Sequence, residues 1–333
     1  MAVNVAIVGA TGAVGQEFLT VLAERNFPIK SLRLLASAKS AGKKAEFAGR
    51  SYTVEELTHD SFAGAQVAFF SAGGSISKEF APSAVKAGAV VVDNTSYFRM
   101  KDGIPLVVPE VNGDLIHKHN GLIANPNCCT IILAVPLWPL HKANRIKRIV
   151  VSTYQSVSGA GAWGLYELDA QMKAYATGQP IAKEKFPHVI VNNLFSHNTK
   201  VQENGYNEEE NKMVAETRKI FADPRLAISP TCIRVPIPRA HSESINLEFE
   251  RPMTPDQVRA ILSKAPGVKV VDDRENNHFP MPLEASGQDD VLVGRIRQDL
   301  SRDDGRGIDL FVSGDQVRKG AATNAVQIAE KLV

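Results

Sequence analysis

The sequence predicts an α/β fold in two domains, a parallel, doubly wound sheet followed by an α+β domain with a mixed sheet. The chain has 333 residues, more than one hydrophobic core usually supports. In its first third, short β-branched segments alternate with helical ones, a pattern typical of βαβ units. From about Lys147 the strand segments lengthen and partly alternate between apolar and polar residues, which indicates a mixed or antiparallel sheet.

The composition is that of an ordinary globular protein. Hydrophobic residues make up 44% of the chain and charged residues 22%. The formal charge is +2, and the 38 basic and 36 acidic residues are interspersed, so no basic surface for nucleic acid or an anionic membrane is expected. No apolar segment approaches the ~20 residues of a membrane span, and the N-terminus carries no secretion-signal pattern. We therefore expect a cytoplasmic protein.

The cysteines argue against a disulfide framework. The chain has three, and two of them, Cys128 and Cys129, are adjacent, whereas disulfide scaffolds use spaced pairs. Neither a CxxC pair nor an HExxH motif is present, so we expect no bound metal. We therefore expect at least one cysteine to have a chemical role rather than to form a disulfide.

In the first domain, strands and helices are predicted to alternate. The predicted strands are VNVAIV, SLRLLA, VAFFSA and VVVDNT, with one helix beginning near Val14 and another passing through Lys86. GLIANPN predicts a further short strand that Pro126 ends, and TIILAVPLWPL has the length and composition of a buried helix. Cys128 therefore lies at a turn from strand to helix.

The second domain has longer strands. KRIVVSTYQSV, TCIRVPIPR and SINLEFE predict three of them. A helix is expected from near Asn207, with Met213, Val214, Ile220 and Phe221 on one face, and a second in TPDQVRAILSKAPG. The final segment, DQVRKGAATNAVQIAEKLV, predicts a long helix, and its pattern leaves open which domain it packs on.

A glycine-rich loop follows the first strand directly. Gly9-Ala-Thr-Gly12-Ala-Val-Gly15 stands between a strand and a helix, which is the context of a dinucleotide-binding loop in a Rossmann-type domain. Glycine lets the backbone approach a pyrophosphate, and the amides at the helix N-terminus favour an anion. The spacing, GxxGxxG, departs from GxGxxG, and a glycine-rich turn without a ligand is the alternative. The predicted contacts are Gly9, Thr11, Gly12, Ala13 and Val14.

The end of the second strand indicates which dinucleotide is bound. A site for NAD usually has an acidic residue there to hold the ribose 2′-hydroxyl, and SLRLLASAKSAGKK has none. Lys39 and Ser40 stand there instead, and a cation with a hydroxyl suits a 2′-phosphate. We therefore predict NADP, while a solvated surface lysine is the alternative for Lys39.

Cys128 has the position of a reactive thiol. A cysteine at the start of a helix is close to unpaired amides and to the positive end of the helix dipole, which favour the thiolate. The same amides can stabilise the oxyanion that forms when sulfur attacks a carbonyl. The alternative is a buried structural cysteine, and that alternative accounts for Cys232.

Seven motifs in order, GATGAVG, DNTSYFR, PEVN, NPNC, STYQSVSGAG, EEENKM and IRVPIPRAHSES, resemble the aspartate-semialdehyde dehydrogenases over nearly the whole chain. The resemblance implies reversible, NADP-dependent phosphorylating oxidation of L-aspartate 4-semialdehyde to 4-phospho-L-aspartate through a thioester. In cells this reaction serves the synthesis of lysine (through diaminopimelate), methionine, threonine and isoleucine. The resemblance also implies a homodimer and a C-terminal domain like that of glyceraldehyde-3-phosphate dehydrogenase. The NADP-binding domain would comprise 1–127 and 315–333, and the catalytic and dimerisation domain 128–314.

The resemblance also assigns roles to individual residues. Cys128 would be the nucleophile, His241 the general acid–base, and Gln155 the amide that orients the acyl group. Substrate contacts would come from Arg99, Gln155, Glu209, Lys212 and Arg234. Further nucleotide contacts would come from Ser71, Gly73, Ser158, Gly159 and Asn324. Without the family, EEENKM would be interpreted as a solvated helix surface and Asn324 as an exposed helix residue.

Two departures from the family pattern leave questions open. Cys129 stands where the family usually has a small hydroxyl residue, so the reactive thiol is ambiguous, although NPNC favours Cys128. Lys39 stands where Arg is frequent. Glyceraldehyde-3-phosphate dehydrogenase and N-acetyl-glutamyl-phosphate reductase share the cysteine chemistry and are alternatives, as is a nucleotide-binding protein without catalysis. A substrate whose amine is acetylated has no positive charge there for Glu209 to bind.

Overall fold

The structure is a computed structural model that describes residues 2–333. The chain divides into two compact units. The first runs through Asn127 and also includes Gly320–Val333, and the second is Cys128–Lys319. Within residues 2–333 no helix has both the length and the apolar character needed to cross a membrane.

Strands and helices alternate along much of the chain. The strands are β1 (Val3–Val8), β2 (Ile29–Ala36), β3 (Lys44–Phe47), β4 (Arg50–Glu56), β5 (Val67–Phe70), β6 (Val90–Asp93), β7 (Leu122–Ala124), β8 (Ile146–Gln155), β9 (Phe195–Ser196), β10 (Ala227–Arg234), β11 (His241–Phe249), β12 (Val268–Val270), β13 (Val291–Gln298) and β14 (Gly307–Gly314). The α-helices are α1 (Ala13–Glu24), α2 (Gly74–Lys86), α3 (Pro109–Asn112), α4 (Cys128–Ala143), α5 (Ala162–Ala176), α6 (Glu208–Phe221), α7 (Pro255–Leu262), α8 (Pro282–Ala285) and α9 (Thr323–Glu330).

The first unit is built on a sheet with strand order β3-β4-β2-β1-β5-β6-β7. All neighbours in it are parallel except β3 and β4, which form an antiparallel hairpin. The strand order reverses at β1, and ligands of such sheets bind where the order reverses, at the carboxyl ends of the strands. The predicted Rossmann-type sheet is confirmed. The hairpin was not predicted, because KAEF and RSYTVEE are short or mostly polar, with only two apolar residues each.

The C-terminal helix belongs to the first unit. Its residues Ala325, Val326 and Ile328 are buried in the same core as Phe18 of α1 and Phe69 of β5. Arg25, which follows α1, donates two hydrogen bonds of 2.7 Å to the carboxylate of Glu330. This part of the chain therefore returns to the nucleotide-binding sheet after the second unit is complete.

The predicted long C-terminal helix is interrupted at its beginning. The Asp315 carboxylate accepts hydrogen bonds from the backbone N–H groups of Val317 and Arg318, at 2.9 and 3.1 Å. One wide helical turn, Arg318–Ala322, comes next, and the regular helix begins only at Thr323. Asp315 and Gln316 thus lie in a loop rather than on a helix, because the carboxylate binds the amides that a preceding helical turn would have used.

The second unit is built on a mixed sheet with strand order β12-β13-β14-β11-β8-β10-β9, as the sequence predicted. Strand β8 is parallel to β10 and antiparallel to β11. The carboxyl ends of β8 and β10 therefore meet the amino end of β11 at one edge. Arg234 is paired with Gln155, and Ser242 is paired with Tyr154, so His241 lies beside Gln155 on the neighbouring strand. This strand arrangement gathers residues that are far apart in the sequence.

Candidate active site

A cleft of about 520 Å³ opens in the first unit at the ends of β1 and β5. Four residues predicted to contact the nucleotide line it: Gly9, Thr11, Gly12 and Ser71. Leu57, Ile76 and Phe80 add an apolar wall, which suits the flat face of an adenine ring. The cleft has the position and chemistry of a dinucleotide site.

Two glycines of the loop are required by its geometry. Gly9 has φ +87°, a conformation that side chains rarely adopt, and a Cβ there would approach the backbone of Ala72 at 3.0 Å. A Cβ at Gly15 would stand 2.2 Å from the Gly9 carbonyl oxygen and 2.8 Å from Ala10 Cα. Glycine at these positions lets the first turn of α1 pack directly on the end of β1, which a pyrophosphate cradle requires.

The other predicted nucleotide contacts in the first unit do not line the cleft. Ser40 lies at its rim, with Oγ 3.5 Å from Thr11 Oγ1, and Lys39 is exposed beside it. Asn324 is completely buried and donates to the Val107 carbonyl and to Asn125 Oδ1, so it is not an exposed helix residue. Ala13, Val14 and Gly73 also lie outside the lining of the cleft.

Arg99 lies in the first unit and is 8% exposed. Its Nε donates to the Asn125 carbonyl at 2.9 Å, and its Nη2 donates to the Asn94 carbonyl at 2.7 Å. These two main-chain acceptors fix the guanidinium plane. The predicted role of Arg99 as a phosphate ligand stays a prediction.

In the second unit, Cys128 is the first residue of α4 and is partly exposed. Its sulfur, the sulfur of Cys129 and a ring nitrogen of His241 lie within 4.8 Å of one another. A hydrogen bond from Cys129 and the imidazole of His241 hold the pKa of the Cys128 thiol well below its ordinary value, against burial, which raises it. Cys128 therefore has the properties of a nucleophilic thiolate.

The other two thiols are suited to remain protonated. Burial, together with the neighbouring Cys128, raises the pKa of the Cys129 thiol well above its ordinary value. Burial also raises the pKa of Cys232, whose sulfur packs 3.7 Å from the sulfur of Met213. The asymmetry supports Cys128 as the reactive thiol. In the described part of the chain, Cys128, Cys129 and His241 are also the one cluster of three side chains that could hold a metal ion.

His241 is fully buried, and its hydrogen bonds distinguish its two ring nitrogens. The backbone N–H of Ser156 donates to Nδ1 at 3.0 Å, and the hydroxyl of Ser156 lies 3.0 Å from the same nitrogen. Because a backbone N–H can only donate, Nδ1 is the acceptor and the ring proton is at Nε2. A ring nitrogen of His241 lies within 4.8 Å of the sulfurs of Cys128 and Cys129.

Arg234 is held in the interior at 2% exposure, although alternation along IRVPIP is also compatible with a side chain in solvent. Its Nη1 donates to the Ser156 carbonyl at 2.5 Å, and its Nη2 donates to His197 Nε2 at 2.8 Å. Burial lowers the pKa of His197 to about 4, so this imidazole is neutral and can accept. His197 was not predicted, because a lone histidine in SHNTK carries no motif.

We expect His197→Ala to weaken substrate binding, because it removes the acceptor that orients Arg234. The Michaelis constant for a carboxylate substrate should rise about tenfold, with a smaller change in kcat. His197→Gln keeps an acceptor oxygen and should recover most of the loss. Steady-state kinetics with His188→Ala, which removes an exposed imidazole nearby, supply the control. Equal Michaelis constants in the wild type and His197→Ala would show that Arg234 needs no such support.

The EEENKM segment is not a solvated helix surface. Glu209 is 6% exposed, its Oε1 accepts from Gln155 Nε2 at 3.2 Å, and its Oε2 lies 3.3 Å from Lys212 Nζ. Glu210 forms a capping box with Asn207, which begins the helix where the sequence predicted. Glu209, Lys212 and Gln155 thus form one hydrogen-bonded group beside Arg234, and Glu209 presents its carboxylate inside the site rather than to water.

Gly159 lies directly beside the reacting groups. A Cβ at this position would stand 3.3 Å from Arg234 Nη1 and 3.3 Å from His241 Nε2. Ser158 is buried, and its hydroxyl lies 3.3 Å from the hydroxyl of Ser156. Gly159 and Ser158, which were predicted as nucleotide contacts, therefore border the imidazole of His241. The absence of a side chain at Gly159 leaves the approach to that imidazole open.

A buried carboxyl group lies behind the thiols and was not predicted. Glu243 is 0% exposed, and neither of its oxygens has a hydrogen-bond partner among residues 2–333. Burial, followed by the charge of Cys128, raises its pKa well above the ordinary value. Its position opposite Thr153 on β8 places it on the same face of the sheet as His241. Burial therefore favours the neutral form of the Glu243 carboxyl group.

We expect Glu243→Met to stabilise the protein by about 1–3 kcal/mol at pH 8, because it removes an unpaired buried carboxyl group. The folded state keeps a proton on Glu243 that the unfolded state loses above about 4.5, so wild-type stability falls as the pH rises beyond that value. Urea unfolding at pH 5 and pH 8 tests this. Glu243→Gln is the isosteric control. A variant less stable than the wild type at pH 8 would contradict the assignment.

Both units resemble domains of known protein families. The semialdehyde dehydrogenase NAD binding domain matches residues 4–119, and the semialdehyde dehydrogenase dimerisation domain matches residues 137–319. The aspartate-semialdehyde dehydrogenase of Synechocystis sp. is 54% identical over 331 residues, which cover 99% of this chain and 97% of the relative. That of Aquifex aeolicus is 52% identical over 337 residues and covers 100% and 98%.

Solved structures show the same similarity. Aspartate semialdehyde dehydrogenase II from Vibrio cholerae is 46% identical in sequence, with a TM-score of 0.96 and coverage of 100% of this chain and 98% of that chain. The structure of the same Vibrio cholerae enzyme complexed with ASA has a TM-score of 0.97, with the same identity and coverage. The similarity extends over both units and includes Cys128, His241, Gln155 and Arg234 in the matched length.

Proposed function

The chain belongs to the aspartate-semialdehyde dehydrogenase family, and from this premise we propose that it interconverts 4-phospho-L-aspartate with L-aspartate 4-semialdehyde and phosphate in an NADP-dependent reaction. The observation that carries the proposal is Cys128 at the start of α4, with the pKa of its thiol held low, a ring nitrogen of His241 within 4.8 Å of its sulfur, and Arg234, Glu209 and Lys212 beside it. In cells, the reductive direction would serve the synthesis of amino acids derived from aspartate.

Cys128 acts first in the reductive direction. Its thiolate attacks the acyl carbon of 4-phospho-L-aspartate, the bond between that carbon and the phosphate oxygen breaks, and a thioester remains. The amides at the start of α4 and the Nε2–H of His241 can stabilise the oxyanion of this step. When bound, the nicotinamide cofactor supplies the hydride that reduces the thioester to the aldehyde. Gln155 orients the acyl group, and its amide is fixed by Thr153 and Glu209.

The charged residues recognise an amino acid. The planar guanidinium of Arg234 suits the α-carboxylate, and the buried carboxylate of Glu209 suits the α-ammonium group. Lys212 and Arg99 would bind phosphate. Of the alternatives, a substrate with an acetylated amine would leave Glu209 buried and opposed to a neutral amide, which would cost binding energy. The buried position of Glu209 therefore favours an aspartyl group over an N-acetylated one.

The cofactor site favours NADP. The cleft holds the glycine cradle that a pyrophosphate needs, and no acidic side chain follows β2. Lys39 and Ser40 lie at its rim, next to Thr11, where they would bind a 2′-phosphate. We further propose that the chain comprises an NADP-binding domain, 1–127 with 315–333, and a catalytic and dimerisation domain, 128–314.

Helix α5 supports a homodimer. It exposes Trp163, Tyr166 and Tyr175 at 60%, 60% and 61%, within the segment that matches the dimerisation domain. Such exposed aromatic side chains mark a protein interface. Analytical ultracentrifugation should give the mass of two chains, and Trp163→Asp with Tyr166→Asp should give one. A monomeric wild type would overturn this part of the proposal.

A coupled measurement tests the proposed reaction. Formation of NADPH is followed with L-aspartate 4-semialdehyde and phosphate, and omission of phosphate should stop it. Glyceraldehyde 3-phosphate and N-acetyl-glutamate 5-semialdehyde serve as competing substrates, and NAD replaces NADP in a parallel series. Preference for either competing aldehyde would overturn the proposed substrate. Preference for NAD would overturn the proposed cofactor. Binding of NADP without any turnover would favour a protein that binds the nucleotide without catalysis.

A further inference from the structure

Helix α5 carries a buried carboxylate that the proposed reaction does not use. Residues 177–194, which follow this helix, form neither a helix nor a strand. In the middle of this segment, three consecutive backbone N–H groups donate to Oε2 of Glu167: those of Glu184 at 3.2 Å, of Lys185, and of Phe186 at 3.3 Å. Glu167 is 5% exposed. Consecutive N–H groups that converge on one point bind an anion, so the side chain of Glu167 fixes the course of the segment.

Gln171 holds the same segment from one turn further along α5. Its Oε1 accepts the backbone N–H groups of Ile190 at 2.8 Å and Val191 at 3.1 Å. Its Nε2 donates to the Ala182 carbonyl at 2.9 Å and to Oε1 of Glu167 at 3.0 Å. Gln171 is 2% exposed, and a spacing of four places it on the same helix face as Glu167. Two linked side chains therefore anchor the segment on the buried face of α5.

The anchored segment places one aromatic ring against Arg234. Phe186 is 3% exposed, and a Cβ at Gly164 of α5 would stand 3.2 Å from the tip of its ring, so the ring packs directly on the helix. Arg234 Cζ lies over the ring, 5.7 Å from its centroid, a distance at which a guanidinium is attracted to an aromatic face. Phe195, the cross-strand partner of Arg234, contacts the same ring edge-on, with 6.1 Å between centroids. Phe186 is thus fixed between the helix and the guanidinium.

The ring complements the hydrogen bonds that already hold Arg234. Nη1 and Nη2 donate to the Ser156 carbonyl and to His197, whereas Nε has no hydrogen-bond partner within residues 2–333. The donors of a guanidinium lie in its plane, and a carboxylate is bound in that plane. An aromatic ring on the face of the guanidinium restrains the tilt of the plane without occupying a donor. Phe186 therefore orients Arg234 and leaves Nε–H to the substrate.

We propose that Glu167 is a positioning residue for substrate binding: by holding the segment that carries Phe186, it keeps the ring against Arg234 and so fixes the plane in which the guanidinium binds a carboxylate. The inference rests on the proposed function only in naming that group as the α-carboxylate of the substrate. No proton or bond is transferred in this role. Its loss should therefore raise the Michaelis constant for the aldehyde and leave the chemical step nearly unchanged.

Steady-state kinetics with L-aspartate 4-semialdehyde, phosphate and NADP test the inference. In Glu167→Ala the three N–H groups lose their acceptor, so we expect the Michaelis constant for the aldehyde to rise about tenfold, with kcat and the constants for phosphate and NADP changed less than about twofold. Phe186→Leu keeps an apolar side chain but removes the aromatic face, and its Michaelis constant for the aldehyde should rise about two- to fivefold. Glu167→Gln keeps an acceptor oxygen and should recover part of the loss. A fall in kcat alone, or an equal rise in all the Michaelis constants, would overturn the proposal.

A measurement without turnover separates this inference from the proposed function. In ¹H–¹⁵N NMR, the Nε–H signal of Arg234 is assigned by its absence from Arg234→Lys, and the ring current of Phe186 should shift it. We expect Phe186→Leu and Glu167→Ala to move this signal in the same direction. Asp169→Asn, the same chemical change at an exposed position of α5, should leave both the signal and the kinetics unchanged.

The test stays decisive if one variant does not fold. Glu167→Gln then replaces Glu167→Ala, with a smaller shift of the Arg234 signal in the same direction. A signal that stays in place in Phe186→Leu, or in whichever Glu167 variant folds, would overturn the proposal. An inactive wild type whose Arg234 signal responds as expected would refute the proposed function and leave this inference standing.

Discussion

Cys128→Ala is expected to lower kcat by about four to six orders of magnitude, because the variant cannot form the thioester. Cys128 is partly exposed at the start of α4, and its neighbours hold the pKa of its thiol well below the ordinary value. No other thiol can replace it: burial raises the pKa of both Cys129 and Cys232. The variant should still fold and bind NADP, since the nucleotide cleft lies in the first unit.

Cys129→Ala is the matched control, since it removes a thiol one residue away. We expect it to remain active, with a reduction of about tenfold at neutral pH, because the hydrogen bond from Cys129 no longer stabilises the Cys128 thiolate. Loss of that hydrogen bond raises the pKa of Cys128, so the acid limb of the kcat/KM profile should move to higher pH. Cys129→Ser keeps a donor and should restore the profile in part.

Turnover with L-aspartate 4-semialdehyde and mass spectrometry of the acylated protein measure these effects. Acylation should appear at residue 128 in the wild type and in Cys129→Ala, and be absent from Cys128→Ala. An active Cys128→Ala together with an inactive Cys129→Ala would show that Cys129, and not Cys128, is the nucleophile. The experiment therefore resolves the ambiguity that adjacent cysteines create in the sequence.

The parts of the site that could be predicted from the sequence are those fixed by local structure. A glycine loop between β1 and α1, and a cysteine at the start of α4, define their own surroundings within a few residues. Gly9 and Cys128 were identified in this way, and α6 begins directly after Asn207, near which the sequence predicted its start. The mixed sheet was also predicted, because alternation in the strands is a local signal.

The residues that the sequence did not indicate depend on how distant strands pair. His197 reaches Arg234 because β9 lies beside β10, and Gln316 reaches Ala240 because β14 lies beside β11. Neither pairing follows from local periodicity. Glu209 was predicted as a substrate contact only through the family resemblance, since three consecutive glutamates in a helix look solvated until packing buries two of them. The function of such a buried charged residue can be inferred only when its partners are known.

His241→Asn is expected to lower kcat by about 10²- to 10⁴-fold, because it removes the donor at Nε2 from the reacting oxygen. The amide of Asn can take the place of Nδ1 but is too short to reach the position of Nε2. His241→Gln is longer, and its NH₂ group can occupy the position of Nε2. If the imidazole acts chiefly by donating a hydrogen bond, His241→Gln should retain about 10-fold more activity than His241→Asn.

Single-turnover kinetics separate this role from the activation of Cys128. The nucleophile is stabilised by Cys129 as well as by His241, so both variants should still be alkylated at Cys128 by iodoacetamide, more slowly than the wild type. The larger loss should appear in the step that follows thioester formation, where negative charge develops on the carbonyl oxygen. Equal activity of the Asn and Gln variants, with all of the loss in alkylation, would mean that His241 serves the thiol and not the oxygen.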